Sequence, residues 1–188
     1  MNRDFRVLLA GIFLFTLGNS TDAFLILALS RAGVPAASIA LLWSLHHIVK
    51  IGGAWAGGRF TDRLGSKPVM LAALCLYGAI YLAFGAFSSA GVLVPVFIAY
   101  GASIGFLEPA EGAMVAHLST SGARGTAYGA YNAAKGFAAL PASVMFGYVW
   151  KYHGTFAAFG MGAALAFGSA VILMFVRGRI RPQTAIPY

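Results

Sequence analysis

The sequence has little charge: only 10% of its 188 residues are Asp, Glu, Lys or Arg, whereas 60% are hydrophobic. A soluble domain carries about 25% charged residues. With so few polar side chains, this chain cannot cover an apolar core with a water-facing surface. The composition therefore excludes an ordinary soluble domain and predicts that most of the protein surface lies in lipid.

The sequence also has only one cysteine, Cys75, so it forms no internal disulfide. Its position in an apolar run indicates a small apolar side chain rather than a redox group. His46 and His47 are adjacent and point in different directions on a helix, with no Cys or carboxylate at ligand spacing, so we expect no metal site. We see no nucleophile–base pair and no nucleotide-binding loop. The sequence therefore predicts neither an enzyme nor a cofactor.

Acidic residues are scarce as well, with five against thirteen lysines and arginines, which gives a formal net charge of +8. The basic residues are scattered between apolar runs and form no basic face on a soluble domain. We therefore expect no nucleic-acid partner. Scattered basic residues are instead typical of the loops of a membrane protein.

Long apolar runs dominate the rest of the chain. A helix needs about 20 residues to cross the roughly 30 Å hydrocarbon core, and these runs are too long and continuous for alternating barrel strands. The sequence predicts an all-α membrane protein with a single six-helix domain over residues 1–188. The approximate spans are 5–29, 37–57, 68–88, 92–118, 126–150 and 155–176.

Glycine is frequent, with 24 residues. Three pairs have the Gly-x-x-x-Gly spacing that lets helix backbones approach closely. The spacing predicts tight packing of the helices that hold these pairs. The pairs are Gly53 with Gly57, Gly101 with Gly105, and Gly125 with Gly129.

The basic residues outside the spans are distributed unevenly between the two ends of the predicted bundle. Membrane proteins concentrate lysine and arginine in cytoplasmic loops. One end holds only Arg31 and Lys151, and the other holds nine basic residues. We therefore predict a multi-pass protein of the cytoplasmic (inner) membrane with both termini in the cytoplasm. The nine residues are Arg3, Arg6, Arg59, Arg63, Lys67, Arg124, Arg177, Arg179 and Arg181.

Five ionisable residues fall inside the predicted spans, where charges are costly and usually face a bundle interior or a water-filled cavity. The first span holds Asp22, the second Lys50, the fourth Glu108 and Glu111, and the fifth Lys135. The third and sixth spans hold none. An inverted repeat of three plus three helices, the building unit of many secondary transporters, would explain this distribution. The alternative is a chance distribution combined with misplaced span ends. The predicted cavity residues are Asn19, Asp22, Lys50, Glu108, Glu111, Tyr131, Asn132 and Lys135.

Glu108 and Glu111 are spaced i, i+3 and therefore lie close together on one helix face. Two neighbouring carboxylates in a low dielectric cannot both ionise cheaply, so at least one is expected to carry a proton readily. The alternative is that these carboxylates pair with Lys135 or Lys50 and neutralise buried charge. The sequence leaves both interpretations open.

The most polar stretch, GGRFTDRLGSKPVM, joins the second and third predicted spans. Gly58 and Gly65 permit a tight turn and a close approach of backbones. Asp62 would be stabilised by the positive end of another helix. Arg63 and Lys67 would hold the turn at the anionic cytoplasmic surface.

Written as a pattern, this stretch is Gly-x-x-x-Asp-Arg-x-Gly-Ser-Lys, and it resembles the signature loop of the major facilitator superfamily. One departure is Ser66, where that family usually has a base. Two more stretches, LGNSTDAFL and RGTAYGAYNAAKGFAALPAS, are similar to the C-terminal half of some bacterial members. The resemblance implies half of a twelve-helix transporter, in which Asp62 latches onto a helix of the other half and favours the outward-open state. Arg124 is a candidate neighbour of Asp62.

The resemblance implies a secondary transporter, or half of one, that moves a small solute by alternating access. Protons are the expected coupling ion, through Asp22, Glu108 or Glu111. Besides lipid and solute, three arrangements stay open: a parallel homodimer, a complex with a separate first-half protein, or a fragment of a longer chain. The other hypothesis is a non-transporting membrane subunit, which predicts mutually paired charges and no cavity.

Overall fold

A computed structural model of the protein describes residues 3–19 and 21–177, without the side chain of Ser121. The predicted cytoplasmic residues Arg179 and Arg181 lie outside this part. The described chain is helical and contains no β-strand, which confirms the all-α fold class. The helices are α1 Arg3–Gly18, α2 Ala23–Arg31, α3 Ala36–Leu64, α4 Ser66–Ala86, α5 Ala90–Leu118 and α6 Arg124–Met174, with a 3₁₀ turn at Ser121–Ala123.

Four helical stretches of the described chain are long and apolar enough to cross a membrane, fewer than the six predicted. The 29-residue α3 is long enough, but its mean hydropathy is reduced by polar residues such as His47, Lys50 and Asp62. The 51-residue α6 counts as one stretch although the sequence predicts two spans there. The four stretches are Arg3–Arg31, Ser66–Ala86, Ala90–Leu118 and Arg124–Met174.

The long α6 is not one straight rod. Gly154 inside it has φ 85° and ψ 175°, a backbone conformation that glycine adopts readily and other residues rarely do. The rings of Phe146 and Phe159 lie 5.1 Å apart, whereas thirteen residues of continuous helix would separate them by about 20 Å. The chain therefore folds back at Gly154, and the two parts of α6 pack side by side.

The first predicted span, residues 5–29, is interrupted, which corrects the expectation of one continuous helix. α1 ends at Gly18 and α2 begins at Ala23. The amide of Asn19 still donates to the Phe15 carbonyl at 2.9 Å, and the amide of Phe24 donates to the Thr21 carbonyl at 3.1 Å. The intervening sequence explains the break, since glycine, asparagine, threonine and aspartate are poor in helix interiors and their side chains compete for backbone groups.

Glycines bring α3 and α5 into close contact. A Cβ atom on Gly105 would lie 2.5 Å from the Lys50 carbonyl oxygen, and one on Gly57 would lie 2.8 Å from the Phe106 Cα. A Cβ atom on Gly101 would lie 2.6 Å from the His46 carbonyl oxygen, and one on Gly53 would lie 3.1 Å from the Ala102 carbonyl oxygen. Two of the three predicted glycine pairs therefore pack as expected. The third does not, because Gly125 and Gly129 face open space.

A second close contact joins α1 to the part of α6 after Gly154. The Ser169 hydroxyl donates to the Gly11 carbonyl at 2.8 Å, and a Cβ atom on Gly18 would lie 2.9 Å from the Gly162 carbonyl. Buried aromatic rings of α4 fill the space between these helices, with the Tyr81 and Phe159 rings 5.3 Å apart. The core thus holds α4 against α5 and α6, and the charged side chains lie elsewhere.

Candidate functional site

Two ion pairs link three helices near the middle of the bundle. The Lys50 ammonium of α3 lies 2.8 Å from a Glu108 carboxylate oxygen of α5. The Lys135 ammonium of α6 lies 3.1 Å from a Glu111 carboxylate oxygen of α5. The sequence placed these four residues at one cavity, and the structure brings them together as two pairs. Each glutamate has its own lysine, as the charge-pairing interpretation requires.

Glu111 is the most buried member of this group, with 1% of its side chain exposed. Its Oε2 accepts a hydrogen bond from the Tyr131 hydroxyl at 2.6 Å and one from Lys135. Lys135 also lies 3.0 Å from the Tyr131 oxygen. The other oxygen, Oε1, is buried and has no hydrogen-bond partner among the described residues. A buried carboxylate oxygen without a partner is costly, so this atom is a natural place for a proton or a water molecule.

The remaining members of the two pairs are partly exposed. The exposed fraction is 31% for Lys50, 46% for Glu108 and 34% for Lys135. Asn132, one turn before Lys135, is exposed and has no side-chain partner within residues 3–19 and 21–177. The network therefore runs from a buried carboxylate on α5 to an open face formed by α3, α5 and α6.

The interruption between α1 and α2 holds the other two predicted cavity residues. The Tyr77 hydroxyl of α4 donates to the Asn19 side-chain oxygen at 3.1 Å. The Tyr100 hydroxyl of α5 donates to the Asp22 carboxylate at 2.7 Å. Asn19 and Asp22 thus flank the break and are each held by a tyrosine from a neighbouring helix, with no direct bond to the lysine–glutamate pairs.

Sequence reasoning missed Tyr77 and Tyr100. A usable signal exists, because a tyrosine within an apolar span needs a hydrogen-bond partner for its hydroxyl when it is buried. The partner itself depends on which helices are neighbours. His46 illustrates the same point: it is buried between Trp43 and Tyr100, and its Nδ1 lies 3.3 Å from the Phe97 carbonyl oxygen.

Of the two glycines predicted to shape the turn between α3 and α4, only Gly65 does so. Gly65 ends α3 with φ 88° and connects directly to α4, as the tight-turn prediction requires. Gly58 does not approach another backbone, because a Cβ atom there would meet nothing within 4 Å. The neighbouring Gly57 makes the close approach instead. Ser66, the departure from the family pattern, is buried with 1% exposure.

Asp62 lies exposed at the end of α3. Within the described residues, no hydrogen bond or ion pair joins its carboxylate to Arg124 or to another side chain. Arg63 and Arg124 are exposed as well. The latch between Asp62 and another half of the molecule therefore stays a prediction.

Lys67 makes a contact that the sequence did not predict, and its anchoring at the lipid surface stays a prediction. Its ammonium donates to the carbonyl oxygens of Met174 and Val176, both at 2.8 Å. A cation at the end of a helix satisfies terminal carbonyls and interacts favourably with the helix dipole. The loop lysine therefore caps α6 and ties the start of α4 to the end of the described bundle.

The family model of the Major Facilitator Superfamily matches residues 7–187, almost the whole chain. The chain belongs to the major facilitator superfamily. This is a family of membrane transporters and not, in general, a family of enzymes. Membership and the long apolar helices together make the chain a membrane protein.

Relatives of this superfamily chain are considerably longer. An uncharacterized MFS-type transporter of Methanocaldococcus jannaschii is 33% identical over 119 residues, which cover 63% of this chain and 30% of that protein. The solved structure of the POT family transporter PepTSo has a TM-score of 0.80 at 16% identity, and an auto-inhibited POT family peptide transporter has 0.73 at 18%. Both superpositions cover 100% of this chain but only 40% and 39% of the solved chains, so this chain spans less than half of these relatives.

Proposed function

We propose that the chain is a six-helix transport domain, one half of a secondary transporter that moves a small solute by alternating access. The observation that carries the proposal is the charged network of Lys50, Glu108, Glu111 and Lys135. If a single six-helix bundle were surrounded by lipid on all sides, the partly exposed charges would be energetically unfavourable. On a face that a second six-helix unit covers, the same charges would line the central cavity of the assembled transporter.

Six crossings and a three-plus-three inverted repeat belong to this proposal. The fold-back at Gly154 supports two crossings within α6, and the 29 residues of α3 exceed the length that one crossing needs. Lys50 and Lys135 occupy the second helix of each proposed triplet, and both pair with carboxylates of α5. This arrangement leaves both termini on one side of the membrane. The distribution of basic residues supports the cytoplasmic side of an inner membrane.

Glu111 is the proposed proton carrier. Its carboxylate is buried, has one oxygen without a partner and holds Lys135 and Tyr131 on the other. Uptake of a proton there would release Lys135 from its ion pair. The freed ammonium would then be available to a solute on the open face, which couples solute binding to protonation. Glu108 is the comparison, since its pair with Lys50 is more exposed.

A second six-helix unit is required in this proposal, because one half cannot enclose a cavity. The chain covers 30–40% of its longer relatives, which agrees with a domain that works beside another of similar size. The unit is a second copy in a parallel homodimer, a separate first-half protein, or the remainder of a longer chain. Native mass spectrometry of the protein extracted from its own membrane distinguishes these three arrangements.

The test is a proton-flux assay in proteoliposomes that hold the complete assembly and a pH-sensitive dye. Cationic, anionic and zwitterionic solutes are added in turn. The wild type should show a proton flux that depends on one solute class. Glu111→Gln should abolish the flux while exchange of labelled solute continues, and Asp4→Asn, in the first turn of α1, should leave both unchanged. Solute-driven proton flux at the wild-type rate in Glu111→Gln would contradict the proton-carrier role.

The second candidate is a non-transporting membrane subunit, and the mutual pairing of Lys50 with Glu108 and Lys135 with Glu111 favours it. In that case the charges serve assembly. Labelled solute would not move in any arm of the assay, although the assembly stays intact. Loss of the assembly in Lys50→Met with no effect on any flux would identify this alternative.

A further inference from the structure

A cavity at the Arg31 end of the bundle lies apart from the charged network. Its volume is about 220 Å³, several times the roughly 30 Å³ that one water molecule occupies in liquid. The last turn of α2, the end of α4 and the following turn, the first turn of α5, and the fold-back of α6 form its walls. The residues that carry the argument are Arg31, Ser88, Trp150 and Thr155.

The polar side chains around this cavity provide hydrogen-bond donors. The Arg31 guanidinium lies 5.1 Å from the centre of the Trp150 ring and has no hydrogen bond or ion pair among the described residues. The Trp150 indole nitrogen is buried and likewise has no partner within them. Ser88 and Thr155 contribute hydroxyl groups. The donors that face the cavity are therefore the Arg31 guanidinium and the two hydroxyl groups, and a ligand with acceptor oxygens would complete this site.

No carboxylate lines the cavity. Asp22, the acidic residue nearest to Arg31 in sequence, precedes it by nine residues, which is about 13 Å along a helix. The helix ends around the cavity carry opposite partial charges: α5 and the segment that begins at Thr155 present positive ends, whereas α2 and α4 end there with negative ones. The full charge at the cavity is that of the exposed Arg31, whose planar guanidinium fork matches phosphate oxygens.

We infer that this cavity binds the phosphate headgroup of an anionic phospholipid. The cavity lies at the ends of helices, the depth at which lipid headgroups meet a membrane protein. Its walls also include the apolar side chains of Phe84 and Leu93, and the exposed Phe87 stands beside them, which suits the glycerol and upper acyl region of a lipid. The inference requires only that the chain is embedded in a membrane and does not depend on the proposed transport.

The test is a lipid titration of the purified full chain in detergent, followed by native mass spectrometry. Phosphatidylglycerol and phosphatidylcholine with identical acyl chains are compared. The wild type should bind phosphatidylglycerol more tightly, because the Arg31 guanidinium attracts an anionic headgroup, repels a choline cation and already covers the Trp150 ring that could hold it. Arg31→Gln should weaken phosphatidylglycerol binding about tenfold, the loss expected for a charge-assisted contact.

Lys151→Gln is the matched control. It also removes one positive charge at the Arg31 end of the bundle, but Lys151 does not line the cavity. It should change binding by less than about twofold. Equal weakening in both variants would show attraction to general positive charge and would overturn the site. Circular dichroism verifies that Arg31→Gln keeps its helix content.

Trp150→Phe replaces the indole beneath Arg31 with a smaller ring, which attracts a guanidinium less strongly. We expect several-fold weaker lipid binding in this variant, together with some loss of stability, because Trp150 is buried against the rings of Phe24 and Phe146. Unchanged binding in both Arg31→Gln and Trp150→Phe would overturn the site even if one variant were unstable. Inorganic phosphate is added as a competitor: no displacement supports the lipid assignment, and displacement at millimolar phosphate would assign the site to free phosphate instead.

Discussion

At the scale of single residues, burial decides what each charge contributes. Glu111 and Glu108 are three positions apart on one helix and each pairs with a lysine, yet Glu111 is 1% exposed and Glu108 is 46% exposed. Water can stabilise Glu108 if its partner is removed. Glu111 is shielded from bulk water, so the same change there leaves a poorly solvated charge in a low dielectric.

Lys135→Met should therefore destabilise the protein by roughly 2–3 kcal/mol, less than a fully buried pair because Lys135 is itself one-third exposed. Lys50→Met should cost less than about 1 kcal/mol. Thermal unfolding in detergent, followed by intrinsic fluorescence, measures both. Adding Glu111→Gln to Lys135→Met should recover most of the loss, since the unpaired carboxylate is then gone. Equal losses in the two lysine variants would contradict the burial argument.

At the scale of helices, glycine determines which elements can meet. α3 and α5 approach so closely that a Cβ atom on Gly105 would overlap the Lys50 carbonyl at 2.5 Å. This contact sets the distance from Lys50 to Glu108, because both lie on the two helices that the glycines join. The packing of small residues and the geometry of the ion pair are therefore coupled.

Gly105→Ala should lower stability by about 1–3 kcal/mol, since neither backbone can move away without disturbing the crossing. Gly129→Ala is the control: its Cβ atom would meet nothing within 4 Å, and alanine is the better helix former. We expect the control to be neutral or slightly stabilising. Thermal unfolding in detergent compares them, and a wild-type melting temperature for Gly105→Ala would refute the close contact.

At the scale of the whole molecule, the course of α6 decides how the chain crosses the membrane. A single 51-residue helix would be about 77 Å long, more than twice the thickness of the hydrocarbon core. The fold-back at Gly154 divides it into two parts that pack on each other through Phe146 and Phe159. We therefore expect α6 to cross the membrane twice, although its residues form one continuous apolar helical stretch.

Single cysteines in a Cys75→Ser background test this topology with a membrane-impermeant thiol reagent. Cysteines at Thr120 and Arg177 should react from one side of the membrane, and those at Ser88 and His153 from the other. The reason is that, in the proposed six-crossing topology, α5 crosses once and α6 crosses and returns. Reaction of the Thr120 and Arg177 positions from opposite sides would rule out the return crossing.

The sequence by itself determined that the protein is helical and lies in a membrane, because composition and run length depend on no tertiary contact. It also identified the ionisable residues of the apolar spans as candidates for the site, since a charge in an apolar span is conspicuous wherever the span packs. It did not reveal the break between Gly18 and Ala23 or the contacts of Lys67. Local competition for backbone groups weakens the helix at the break, but the tyrosines that hold Asn19 and Asp22 come from neighbouring helices.

Tertiary structure alone decided the partners. Glu108 had two candidate lysines in the sequence, and the α3–α5 glycine contact gave it Lys50 while Lys135 went to Glu111. Nothing in the sequence identifies the partners of Tyr77 and Tyr100. Their partners, Asn19 and Asp22, follow from the position of α4 and α5 beside the break in the first span. Hydrogen bonds and ion pairs between distant segments depend on which helices are neighbours and at what height. These contacts become known only when all the helices are packed together.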